Sequence, residues 1–233
     1  MGLYDRDYAR GGASAYETVN RSEAKIVSFV KQTYKLFAAS LMAGAVGAYV
    51  GIPMAVTLAA WHWPIFFLAI GLLIGLHFAK HTPGLNMVLM FAFTFTTGIM
   101  IAPLLSSVLS MSGGGAIVGN AFMMTSVIFG AMSFYAIKTT KDFTTFGKPL
   151  FIALIVIIGF SIVNIFLGSP LMGVIISAAV VLLFSIFIIY DTQALMNGMF
   201  ETPIEGAIAL YLDFFNIFVN LLQLLGIFGN NDD

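Results

Sequence analysis

The sequence predicts an all-α membrane protein, a bundle of seven transmembrane helices. Three observations carry this. Of 233 residues, 60% are hydrophobic and only 9% charged, with a mean hydropathy of +0.99. A soluble domain is nearer ~25% charged. Seven segments each reach the ~20 apolar residues that cross a bilayer as helix. No stretch shows the polar–apolar alternation of a transmembrane strand, and an open sheet would leave backbone groups unpaired in lipid.

Residues 1–35 read as a polar, basic tail without the apolar core of a cleavable signal peptide. Its second half, Ser22 to Lys35, has the pattern of a helix leading into the first span. The membrane domain is 36–228, with spans near 36–60, 63–79, 85–109, 115–137, 149–168, 171–193 and 207–228. Turn and breaker residues separate them: Trp61–Pro64, His81–Gly84, Ser112–Gly115 and Gly168–Pro170. Pro53 and Pro103 fall inside spans, where proline kinks or ends a helix. Residues 229–233 form a short acidic C-terminal tail.

Charge gives an orientation. With the amino terminus inside and seven alternating spans, every basic residue is cytoplasmic. These are Arg6, Arg10, Arg21, Lys25, Lys31 and Lys35 in the tail, Lys80 in the second loop, and Lys138, Lys141 and Lys148 in the fourth. The positive-inside rule expects this bias. A cytoplasmic amino terminus in the inner (plasma) membrane is the resulting expectation.

Several function classes are excluded or disfavoured. Ten basic against eleven acidic residues leave no basic surplus for nucleic acid. There is no cysteine, and His62, His77 and His81 form no zinc-hydrolase spacing. No resident cofactor is expected.

Two acids stand out because they lie within spans: Asp191, at the end of the sixth, and Asp213, early in the seventh. An ionisable group in hydrocarbon costs about 2.5–3.5 kcal/mol on insertion scales and is a candidate functional group by default. The two lie equally far in sequence from the connecting turn near Thr202, so antiparallel helices bring them to similar depth. If they face each other, the pair can hold one proton, or lose it and accept a cation. In the seventh span, Asp213, Asn216, Asn220 and Gln223 recur at helical spacing as one polar stripe, which reads as the lining of a water-accessible path or as interhelical hydrogen-bonding glue. Gly47 with Gly51, and Gly71 with Gly75, are spaced for close helix packing.

The segments Ile189-Tyr190-Asp191-Thr192-Gln193 and Ala209 to Asn216 resemble the signature stretches of the Bax inhibitor-1 family. The basic tail and seven-span count extend the likeness over the whole chain. The resemblance implies a pH-regulated calcium leak, in which one acid from each of the last two helices forms a hydrogen-bonded pair beside the pore. Asp191 and Asp213 match those positions. They are then the proton and cation gate, with Ca2+ and H+ as transient ligands. In some members a basic residue of the second helix latches onto the pair, and His77 and Lys80 are the candidates for it here. The chain ends in Asn230-Asn231-Asp232-Asp233, without the basic tail usual in eukaryotic members. It therefore resembles bacterial members, and no role in animal-type apoptosis is carried over.

Two other readings compete. A membrane regulator of proteases or stress factors would dock partners on Asp5, Asp7, Glu17 and Glu23 of the tail. An intramembrane aspartyl protease would use both carboxyls to activate water. Such proteases carry Gly-x-Gly-Asp at the second acid, whereas this chain has Tyr211-Leu212-Asp213. The expectation is a transport protein and not an enzyme.

Overall fold

In a computed structural model, the chain is helical throughout. The backbone is described for residues 3–229 and the side chains for residues 24–229. The acidic segment 230–233, and the side chains of Asp5, Asp7, Glu17 and Glu23 expected to dock partners, lie outside these limits.

Among the described residues eight α-helices follow one another: α1 (Leu3–Gly51), α2 (Ala55–Ala60), α3 (His62–Ala79), α4 (Leu85–Leu109), α5 (Gly114–Lys138), α6 (Gly147–Leu167), α7 (Pro170–Met196) and α8 (Pro203–Gly229). Seven segments are long and apolar enough to span a membrane, the first running from Ala24 through α2 to Ala60. Among the described residues there is no strand.

Several boundaries differ from the sequence reading. The backbone runs as one helix from the tail through the first span. Pro53 breaks that span, in a short 3₁₀ turn at Ile52–Met54. Pro103 does not end its helix, since α4 continues to Leu109. Packed neighbours stabilise a proline-containing membrane helix that would be marginal alone. The last helix begins earlier than expected, because Thr202 and Glu205 build a cap. Thr202 N–H donates to Glu205 Oε2 at 3.1 Å, and Glu205 N–H donates to Thr202 Oγ1 at 3.4 Å. This is a capping box followed by proline at the first helical position.

Packing follows residue size. Gly98 lies against the Gly44 carbonyl and Gly47 against the Phe95 carbonyl, so α1 and α4 approach backbone to backbone. Any side chain there would collide, which is the use of small residues in lipid. α8 is central, in contact with α1, α4, α5 and α7. Its inward face supplies Leu210, Tyr211, Ile217 and Leu222, all essentially without exposed surface. α6 is peripheral and buries only Leu150. The many exposed Phe, Ile, Leu and Val side chains of α3, α5 and α6 would meet hydrocarbon.

Candidate functional site

The site is built on α7 and α8. The segment Tyr190–Gln193 is tied on several sides. Gly147 leaves room for the Tyr190 ring, where a Cβ would come within 2.9 Å of the phenol oxygen. Thr192 Oγ1 donates to Ser133 Oγ of α5 at 3.4 Å. The Gln193 amide reaches the last turn of α5 and the α5–α6 connection: Nε2 donates to the carbonyls of Lys141 (2.9 Å) and Ala136 (3.3 Å), and Oε1 accepts from Phe143 N–H at 2.7 Å. These bonds fix the rotation of α7 about its axis and hence the direction of Asp191.

On α8, Tyr211 does the equivalent. Its hydroxyl lies 2.6 Å from Thr97 Oγ1 and donates to the Thr94 carbonyl at 3.2 Å, both on α4. With Tyr211 locked toward α4, Asp213 turns into the bundle.

Asp191 is 8% exposed and Asp213 2%. Their carboxyl groups lie within hydrogen-bonding reach of each other. Asp213 Oδ2 is buried and has no hydrogen-bond partner among the described residues. Asp191 lies roughly 8 Å from the end of α7 and Asp213 roughly 15 Å from the start of α8, at the helical rise of 1.5 Å per residue. The connection 197–202 takes up the difference.

The polar stripe of α8 is divided. Asn216, Asn220 and Gln223 line a cleft of about 750 Å³ between α3, α6, α7 and α8, with Ser161, Asn164 and Ser177 opposite. Asp213 is not part of that lining. It faces Asp191 and the interior instead. Two of the stripe amides also bond within their own helix: Asn216 Nδ2 donates to the Leu212 carbonyl and Asn220 Nδ2 to that of Asn216. One interhelical contact exists, from Ser177 Oγ to Gln223 Oε1 at 3.4 Å.

The expected latch is elsewhere. His77 is exposed, its ring edge-on to Phe78. Lys80 Nζ lies 2.8 Å from Glu201 Oε2 and 2.8 Å from Glu205 Oε1, and His81 Nε2 lies 2.9 Å from Glu201 Oε2. Lys80 therefore clasps the α7–α8 turn and the first turn of α8, and neither candidate meets the acid pair. The hydrogen bonds to Glu201 and Glu205 hold the Lys80 ammonium above its ordinary pKa, and the Lys80 bond holds the Glu201 carboxyl below its own. Glu201 and Glu205 did not stand out in the sequence, although the capping spacing from Thr202 marks Glu205.

The family model described as "Inhibitor of apoptosis-promoting Bax1" matches residues 26–230. This chain belongs to the Bax inhibitor-1 family. An uncharacterised protein of Campylobacter jejuni is 49% identical over 99% of this chain and all of its own length. An uncharacterised membrane protein of Vibrio cholerae is 32% identical over 87% of this chain and 91% of its own. Protein lifeguard 4 of Mus musculus is 34% identical over 67% of this chain and 64% of its own. The chain is thus a multi-span membrane member of this family with bacterial relatives.

Proposed function

We propose that this Bax inhibitor-1 family member is a pH-sensitive leak for calcium or a similar cation, oriented with its amino terminus in the cytoplasm of the inner membrane. The observation that carries the reading is the meeting of Asp191 and Asp213, from two helices, in a buried position within the apolar bundle. Hydrocarbon selects against a carboxyl unless it is used. Two adjacent carboxylates cannot both keep their charge cheaply in a low dielectric. A proton shared between them neutralises the excess, and so does a cation.

Proton and cation then compete for one position. Calcium takes six to eight oxygen ligands, and two carboxylates offer at most about four. No group of three or more histidine, cysteine or acidic side chains placed to hold a metal ion occurs among the described residues. Water and backbone carbonyls would complete the shell, which favours weak binding and passage over storage. In this reading the cleft lined by Asn216, Asn220 and Gln223 is the outer half of the path. The Lys80 clasp closes the inner end.

The test is calcium flux in proteoliposomes across pH. Asp191→Asn and Asp213→Asn should each flatten the pH dependence that the wild type shows. Flux with the wild-type profile in both variants would refute the reading.

A further inference from the structure

Hydroxyls on these helices follow a habit. Thr96, Thr125, Ser161 and Ser185 each donate to the carbonyl four residues earlier, at 2.7–2.9 Å. In hydrocarbon that is the nearest way to satisfy a hydroxyl. Thr33 and Ser40 of α1 depart from it. Both have 0% exposure, and neither Oγ has a hydrogen-bond partner among the described residues. The third buried side-chain atom in that state is Asp213 Oδ2.

Helical register places the three atoms along the seam between α1 and α8, two spans that run in the same direction. The register of that seam is fixed by contacts. Thr33 lies against Gly206, where a Cβ would be 3.0 Å from the threonine methyl. The Phe37 and Phe214 rings meet at 6.1 Å between centroids. Gly44 faces the Tyr211 hydroxyl. Ser40 follows Thr33 by the same interval as Asp213 follows Gly206. Seven residues return a helix to nearly the same face, ~10 Å further along. Ser40 therefore stands at the depth of Asp213, on the face of α1 that meets it.

A buried hydroxyl and a buried carboxyl oxygen, each unpartnered and at one level, supply what the other lacks. We infer that Ser40 is a third residue of the acid-pair site, its hydroxyl donating to Asp213 through one bridging water and offering its oxygen to a cation held there. Ser40 is a positioning residue, and it biases the choice between proton and cation. The identity of that cation rests on the proposed leak function, whereas the hydrogen bond does not.

The surrounding titratable groups leave the bias to Ser40. Lys31 and Lys35 of α1 and Lys138 of α5 point outward and are exposed. Tyr34 is half-buried on α1, and Tyr190 lies against Gly147. The Tyr211 hydroxyl is committed to α4. Lys80, His81, Glu201 and Glu205 are engaged with one another at the inner end.

The experiment follows the infrared carboxylic-acid band of the full chain in liposomes as pH is varied. Without the donor, the ionised pair is less well stabilised. In Ser40→Ala the band should half-disappear at a proton concentration about threefold or more lower than in wild type. Ser40→Cys, nearly the same size and a weak donor, should fall between them. Ser185→Ala, which removes a hydroxyl committed to the Val181 carbonyl, should titrate as wild type. A wild-type midpoint in folded Ser40→Ala would overturn the inference. Should that variant fail to fold, Ser40→Cys decides, because a wild-type midpoint there is equally fatal. Calcium flux is measured in the same vesicles. If wild type passes no calcium while Ser40→Ala still moves the midpoint, the leak reading fails and the third residue stands. If the Asp variants alter flux but neither Ser40 variant moves the midpoint, Ser40 alone is refuted.

Discussion

The ammonium of Lys80 lies 2.8 Å from the carboxylate of Glu205. This joins the turn after α3 to the first turn of α8, the helix that carries Asp213. Glu205 also accepts from the backbone amides of Glu201 and Thr202. One carboxylate thus caps α8 and tethers it to α3.

The clasp should stabilise the protein only between the two titrations that break it. Glu201 titrates below its ordinary value of 4.5 in the folded state, so its contribution is present above that value and is lost as pH falls through the lowered one. Lys80 titrates above its ordinary 10.5, so its contribution is present below 10.5 and is lost as pH rises through the raised value. Thermal unfolding of wild type and Lys80→Met in detergent should therefore differ across the neutral range and converge at both extremes. The difference should shrink with added salt, since the clasp is partly exposed. A constant difference at all pH values would mean that Lys80 acts through packing of its stem.

Gln193, 7% exposed, makes three hydrogen bonds to the last turn of α5 and the α5–α6 connection. Gln193→Ala leaves a backbone N–H and two carbonyls without their partner, at about 1 kcal/mol for each bond. It should lower stability by roughly 2–3 kcal/mol and loosen the segment 138–146 before the rest. Limited proteolysis at Lys138 and Lys141 should quicken in this variant at temperatures where circular dichroism is unchanged. Gln193→Glu restores the acceptor for Phe143 but not the donors, so it should fall short of rescue.

Gly98 tests the backbone contact. A Cβ at this position would run into the Gly44 carbonyl of α1. Neither neighbour can yield cheaply, because both are main chain. Gly98→Ala should cost about 1–3 kcal/mol, as overpacking does. Gly71→Ala, at a position with open space around it, should cost nothing measurable or stabilise α3 slightly. Thermal shifts of the two variants side by side give the comparison. The GxxxG spacing is the same for Gly47 with Gly51 and for Gly71 with Gly75, yet only the first pair is used for a close approach.

That contrast shows what was legible in the sequence. Span number and the existence of each helix followed from hydropathy, because lipid leaves the backbone no other solution. Asp191 and Asp213 stood out because charge inside a span is rare and costly. Tertiary facts did not stand out. Lys80 and His77 lie near the carboxyl end of α3, and nothing in their spacing says which acid Lys80 meets. The stripe from Asp213 to Gln223 covers only about 80° of helix surface, and nothing in that spacing says that the acid meets Asp191 while the amides, further along the axis, line a cleft. Ser40 was invisible, since a serine in a span ordinarily bonds its own helix.

The cleft offers the most direct trial of the transport path, because the chain contains no cysteine and any introduced thiol is unique. Asn220 and Gln223 line the cleft beside Asn164 and Ser177. Leu182, on α7, is 68% exposed and faces outward, where hydrocarbon would cover it. Thiols react as thiolates, which form only where water reaches them. In oriented membranes, Asn220→Cys and Gln223→Cys should therefore be modified by a charged, membrane-impermeant thiol reagent, and Leu182→Cys should not. With the amino terminus inside, the reaction should proceed when the reagent is added outside and fail when it is confined within. Modification from the cytoplasmic side alone would invert the orientation drawn from the lysines and arginines. No modification from either side would leave the amides as packing groups, and the outer half of the proposed path would have to run elsewhere.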